Sequence, residues 1–445
     1  MRGVGVAVVI AFALAGGAAG QVVAPGIQDG MLAVAPNGTP FVAFVRGSSL
    51  MVAARAPNGQ WRTARAAAVA RGSSLVAFAA GAAGPVALVR GASERTILLI
   101  RRGSRGWKAT PLVRPLPASI SVGWPGLVLD RRGEPAVAYT RWHRRTHRSA
   151  LVLAHVNGRG RVRSEHVTAE GFPKSHVAPP AAPVLADRRL HVIESYGFDG
   201  AVGTIDWSRA KRTWEGQFID AGIGDFPVGP LLAAVSPRGT VYAAWSQILL
   251  GTGEMPVALA VHGRTVQSTF VLNRALTTGL AATAAGPEVA ANEWIAPDEV
   301  GLAGEAPIWA GELAGHGRTV ELDGWIADVA AAPGGARDIL LGRPGGLSWF
   351  RSARPAAVRV SVAASAGNGT VVVSGHVRGA TRGRITIYRE RSGSPRQAAG
   401  TAPVASDGSF SLVDRPPFRP LLYRAVYTAR GTRIPYAALL RVPVR

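Results

Sequence analysis

The sequence predicts an all-β chain in two parts, a ring of repeated four-stranded units followed by a small sandwich, and three observations lead there. The 55 Gly and 31 Pro among 445 residues are spread as punctuation between short β-branched and aromatic runs, the pattern of many strands and tight turns. A turn-plus-strand unit recurs about every fifty residues, and that period stops near residue 355, where ninety residues of different pattern begin. With 47% hydrophobic and 17% charged residues, the chain has enough apolar surface to fold along most of its length. The absence of cysteine excludes a disulfide scaffold, a Cys-based zinc site, a thiol nucleophile and an acylated cysteine anchor.

At the N-terminus, Arg2 precedes the apolar run Val4 to Leu14 and the small residues Ala15 to Gly20, with Ala18 and Gly20 suited to a cut before Gln21. This resembles a secretory signal peptide. Residues 1–20 are therefore expected to be removed and the product to be secreted, extracellular or cell-envelope associated; an uncleaved anchor is the alternative. The run is short for a bilayer, no later segment reaches membrane length, and Arg441 to Arg445 carry no sorting tail, so no transmembrane span is expected in the mature chain.

From residue 21 to 355 the unit repeats. Its turns fall at Gly38, Gly84, Gly133, Arg189, Gly239, Gly286 and Gly335, at intervals of 46, 49, 56, 50, 47 and 49 residues. Between them lie second hairpins such as "LMVAARAPNGQWRTARA" from Leu50 and "TILLIRRGSRGWKATPL" from Thr96. Each copy reads as four short strands joined by tight turns. Four-stranded units at this period predict a β-propeller of seven blades, with six as the alternative count. The last copy runs out after "LSWF", so Val22 to Ile27 is expected to supply its fourth strand and latch the ring.

From Ala356 to Arg445 seven alternating strands follow, the length and strand count of an Ig-like β-sandwich. "VVVSGHVRG", "DGSF" at Asp407 to Phe410 and "YRAVY" at Tyr423 to Tyr427 resemble the bacterial Ig-like modules appended to secreted actinobacterial proteins. That resemblance implies a spacer or wall-binding role. The module is basic, with fourteen Arg against Glu390, Asp407 and Asp414.

The formal charge is +23, carried by 50 Lys and Arg against 27 Asp and Glu. All but Lys108, Lys174 and Lys211 of the cations are Arg, which matches a GC-rich, actinobacterium-like coding bias, so part of the charge is solubilising surface. The distribution is uneven. Arg90 to Arg148 carries thirteen cations against three carboxylates, whereas Leu280 to Ala330 carries one against nine, giving the ring a basic and an acidic side. An anionic envelope polymer, an extracellular glycan or a protein is the expected partner; nucleic acid is not.

In a propeller, the loops from second to third strand and from one blade to the next share one face. Arg141 to Ser149, Tyr196 to Ala201, Gln247 to Met255 and Ile295 to Glu305 read as long there, so a site is expected over blades three to six. Tyr139, Arg141, Trp142, His143, Arg144 and Arg145 form an aromatic-cationic run suited to a polyanion or sugar, with Glu194, Tyr196 and Trp245 beside it. His143 and His147 lack a third ligand, so no metal is assigned, and no cofactor is expected. A hydrolase would need two carboxylates, and Glu194, Asp199, Glu254, Glu293, Asp298, Glu299 and Glu305 are the candidates. "NGQW" at Asn58, Gly106-Trp107 and Arg212-Thr213-Trp214 distantly resemble the tail of the repeated turn of sialidase-type propellers. The Ser and Asp of that turn are missing and the spacing differs, so these tryptophans are expected between blades and no catalytic residue carries over. No phosphate-cradling loop, nucleophile elbow or zinc-protease motif is present. The expectation is an exported non-enzymatic binding or scaffold protein, with a sialidase-like glycoside hydrolase or lyase as alternative.

Overall fold

A computed structural model describes residues 21–445 except 104–105, 168–177, 187–188, 197–200, 209–212, 221–224, 250–256, 262–263, 271–274, 285, 296–307, 316–317, 323–324, 344, 353–358, 368, 379–382, 391–396, 418–421, 430–435 and 442–445. The expected signal peptide and the junction at 355/356 lie outside the described residues.

The described residues are almost entirely strand, in consecutive antiparallel units. Sheet 1 takes Met31–Val34, Pro40–Arg46, Ser49–Arg55 and Trp61–Ala68 in chain order, and sheet 2 takes Ser74–Gly81, Gly84–Arg90, Ile97–Gly103 and Gly106–Val113. Sheet 3 holds Pro135–His143, Arg148–Val156 and Val162–Val167, preceded by a first strand broken into Ile120–Val122 and Gly126–Leu129. The break falls at Gly123-Trp124-Pro125, where Pro125 lacks a ladder donor and a Cβ on Gly123 would lie 2.0 Å from the Pro179 carbonyl. Sheets 4, 5 and 6 begin with Ala181–Ala186, Asp225–Val235 and Ala275–Thr283 and repeat the order. The turns explain themselves locally. Asp130, Asn157 and Ser236 each accept backbone N–H groups two and four residues on. The glycine three places along sits at φ +75 to +83, where a side chain is strained.

Sheet 7 takes Trp325–Ala331, Arg337–Arg343 and Gly346–Ser352, and its fourth strand is Gln21–Pro25, antiparallel to Gly346–Ser352 with Gln21 opposite Trp349. The first strands of the sheets pack on one another in order, and that of sheet 7 packs back on that of sheet 1. This cyclic adjacency is that of a β-propeller.

Among the described residues, apolar side chains fill six of the seven gaps between neighbouring sheets, all but that between sheets 5 and 6. Leu50, Val52, Ala87, Val89 and Ile100 pack between sheets 1 and 2 with Trp107 against them, and Val23, Leu32, Phe44 and Leu347 pack between sheets 7 and 1 with Trp61. Trp61 meets Trp349 edge-on at 5.6 Å, and the Arg55 guanidinium lies 4.8 Å from the Trp349 ring centre. Each buried large apolar side chain contributes about 1.5–3 kcal/mol. Polar side chains on the second strands of sheets 3, 5 and 6 fasten each of these to the next one's entry. Thr140 Oγ1 donates to Pro179 O (2.5 Å), Ser246 Oγ accepts from Thr277 N (2.8 Å), and Asn292 both donates to Ile326 O (2.8 Å) and accepts from Ile326 N (2.7 Å).

After residue 358, Arg359–Gly367, Thr370–Arg378 and Ser409–Asp414 form one sheet, while Gly383–Glu390, Gln397–Val404, Leu422–Ala429 and Tyr436–Arg441 pair in another. Val373, Ile385, Ile387, Phe410 and Tyr423 form the core between them. Asp414 accepts from Arg389 Nη1 at 2.9 Å and from the Tyr423 hydroxyl at 2.6 Å. Burial, then that bond, raises the Tyr423 pKa. The last strand also bridges Arg318–Leu322 of sheet 6, Thr319 opposite Ala437. Among the described residues no helix is long and apolar enough to cross a membrane.

Candidate functional site

The first strands of the sheets start on one face of the ring, the face that also carries the hairpins from second to third strand. Their starts enclose an open cavity of about 710 Å³, lined from sheets 1, 2, 3, 5, 6 and 7. Half-buried Trp124 and Trp325 supply aromatic surface, and Gln28, Asp29, Ser74 and Thr278 supply polar groups; Phe44 and Thr277, 1% and 2% exposed, back the wall. Local contacts fix this lining. A Cβ on Gly30 would lie 2.8 Å from Ala43 O, so only glycine lets the chain enter sheet 1 there. The Arg90 guanidinium stacks on Trp124 at 4.3 Å, bonds Val122 O (3.4 Å) and pairs with Glu94 (3.4 Å). Burial lowers the Arg90 pKa and Glu94 opposes this. Thr278 Oγ1 donates to Ile326 O (2.7 Å), holding the stretch between Trp325 and Ala327.

Two carboxyl groups lie within reach of each other's charge where sheet 7 adjoins sheet 1. Asp29 lines the cavity just before sheet 1, and burial raises its pKa against a bond from Gly30 N–H. Asp328 interrupts the first strand of sheet 7, beside a bulge between Ile326 and Asp328. Its Oδ2 accepts from Leu32 N of sheet 1 (2.8 Å) and its Oδ1 from Val329 N (2.7 Å). A Cβ on Gly279 would come within 2.6 Å of Oδ1, so a glycine of sheet 6 makes room for it. Burial pushes Asp328 up to about 7; the two N–H bonds work against this and the charge of Asp29 adds to it. The residue keeps partial solvent access although its carboxyl is enclosed by three sheets. A carboxyl that titrates near neutrality beside a second one can hold or release a proton at working pH. Here the same group also clasps sheet 7 to sheet 1.

The sequence singled out a different set of residues. Arg141 to Ser149 is not a long loop, because the strands run on to His143 and Arg148, with His143 opposite Arg148, and leave a four-residue turn. In that turn His147 (φ +56) donates its N–H to His143 O, and its ring meets Trp142 edge-on at 5.8 Å. Arg144 and Arg145 are exposed, while Arg141, Trp142 and His143 are half-buried. Arg141 leans on Tyr139, with 5.9 Å from guanidinium to ring centre. Tyr139 and Trp245 are core side chains, 0% and 1% exposed, packed between sheets. The backbone sets Glu194 opposite Ala181 and Tyr196 opposite Ala201 in sheet 4. Of the other carboxylates proposed, Asp199, Glu254, Asp298, Glu299 and Glu305 lie outside the described residues, and Glu293 is placed by its backbone opposite Ala275. The structure thus brings Tyr139 to Arg145 together on one hairpin. It places the axial cavity, lined by Asp29, and the nearby Asp328 at residues the sequence reading did not single out as a site. The available signal was a lone Asp in the apolar strand "WIADVAA" and another just before the first ring strand.

No protein-family model and no curated protein matches the sequence. Solved structures with some likeness include an α-L-arabinanase from Penicillium chrysogenum (12% identity, 63% of this chain and 93% of that one, TM-score 0.39). Others are an acylaminoacyl peptidase from Pyrococcus horikoshii (6%, 79% and 58%, 0.41) and a sucrose-6-phosphate hydrolase from Lactobacillus gasseri (10%, 95% and 93%, 0.30). Likeness of this degree transfers no activity.

Proposed function

We propose that this is an exported seven-bladed propeller, closed by its N-terminal strand and tethered through an Ig-like module, that holds an extracellular or cell-envelope glycan in its axial cavity. The observation that carries the reading is the convergence of Trp124 and Trp325 with Gln28, Asp29, Ser74 and Thr278 at one mouth. Sugar rings offer apolar faces and hydroxyl edges, which aromatic surface and short polar side chains match together. No Arg is among the cavity's described lining, which favours a neutral sugar over a sialic-acid-like one. The Arg144 and Arg145 hairpin on the same face would serve acidic substituents at the rim.

Hydrolysis is the second reading, and Asp29 on the cavity wall, with Asp328 near enough to feel its charge, favours it over a purely non-enzymatic binder, because cleavage of a glycosidic bond uses two carboxyl groups. The test is incubation of the mature chain with neutral oligosaccharides at pH 5 to 8. Hydrolysis that disappears in Asp29→Asn while binding persists supports the enzyme; binding without turnover supports the scaffold.

A further inference from the structure

On the opposite, turn-bearing face, the seam between sheets 2 and 3 gathers six cations against two carboxylates. Arg101 and Lys108 are direct cross-strand partners in sheet 2. The Asn157 to Arg161 turn of sheet 3 lies against them, and Arg101 Nη2 donates to Gly158 O at 2.8 Å. A Cβ on Gly160 would sit 3.1 Å from Lys108 Nζ and 3.5 Å from Arg101 Nη2, so both head groups converge on one glycine whose missing side chain leaves the spot open. Arg102, Arg132, Arg159 and Arg161 stand exposed around it. Two carboxylates stand nearby and hold the turns: Glu134 accepts from Gly158 N (2.8 Å), and Asp130 accepts from Arg132 N and Glu134 N (2.8 Å each). Among the described residues no carboxylate pairs with Arg101 or Lys108.

Bringing like charges together costs energy unless an anion joins them, and a row of such charges favours an anion that repeats. We propose that this seam is a binding site for a polymer of repeating phosphate or sulfate groups. Guanidinium groups match such tetrahedral oxyanions in bidentate fashion. Trp107, the aromatic closest in sequence, is packed between sheets 1 and 2, so the seam offers no stacking platform of the kind single-stranded nucleic acid uses. The site is independent of the cavity and lies on the other face.

The test is binding of the full chain to inorganic polyphosphate and to dextran sulfate across a salt series, with a single-stranded oligonucleotide as third probe. Wild type is expected to bind one or both polyanions with a steep salt dependence. Arg101→Gln with Lys108→Gln should weaken binding about tenfold at low salt and lower the slope of log K against log salt by roughly one to two. Lys108→Gln alone, which removes no hydrogen bond to the Gly158 turn, should give about half of that slope change. An Arg415→Gln control, at an exposed Arg after residue 358, should leave the slope unchanged. Preference for polyphosphate assigns phosphate chemistry, and preference for dextran sulfate assigns sulfate. No polyanion binding, an unchanged slope in the seam variants, or tighter binding to the oligonucleotide overturns the proposal.

Discussion

Replacing Asp328 by Asn separates the clasp from its charge. In the native ring the carboxyl titrates near 7 instead of 3.8, because burial and then Asp29 oppose its ionisation despite two N–H bonds. The folded state thus holds this proton more tightly than the unfolded state. Its contribution to stability is complete below about pH 4, declines as pH rises from 4 to 7, and is gone above 7. A rise from 3.8 to about 7 corresponds to at most about 4 kcal/mol, less whatever the residue's partial solvent access screens. Asn mimics the neutral acid. Its Oδ1 can still accept from Leu32 N–H, but its amide then faces Val329 N–H, a mismatch worth about 1–3 kcal/mol that does not vary with pH. Urea unfolding of both proteins at pH 5 and pH 8 reads the difference. Between pH 5 and pH 8 wild type should lose at most about 3 kcal/mol of stability relative to Asp328→Asn. An equal difference at both pH values would mean that Asp328 ionises normally, and the reasoning would fail.

Other perturbations address other levels. Deleting Gln21 to Pro25 removes buried Val23 and Ala24 and exposes an edge on Gly346–Ser352, so the whole ring should melt earlier; unchanged melting would refute the latch. Asn292→Ala leaves Ile326 N–H and C=O without their side-chain partner and should cost about 1–3 kcal/mol in urea unfolding, most of it absent if water replaces the amide. Tyr423→Phe strips one partner from buried Asp414, so hydrogen-exchange protection should fall in the strands after residue 358 and hold in sheets 1 to 3; uniform loss would contradict separate cores.

Much of the architecture was legible because the determinants are local. Turn glycines, Asx-type turns and β-rich runs recur within each fifty-residue unit, and the missing strand after Gly346 pointed back to Val22. All seven strands read after Ala356 are present. Second strands misled at the site. Sheet neighbours cover them on both faces, so Pro135 to Thr140 are buried without alternation, and Tyr139 and Trp245, expected among the ligand-binding residues, are packing. The Arg-Trp-His run read as loop, yet cross-strand pairing carries it to His143. Asp328 meets Leu32 across 296 positions, a contact created by ring closure that no local pattern records.

The measurement that bears most directly on the central claim is glycan-array binding of the mature chain beside Trp325→Ala and Asp29→Asn. The axial-cavity account predicts a defined set of neutral glycans bound by wild type, at least tenfold weaker in Trp325→Ala, where about 1.4 kcal/mol or more of aromatic contact is lost, and weaker in Asp29→Asn. Binding that both variants retain in full, or no glycan bound by wild type, would contradict it.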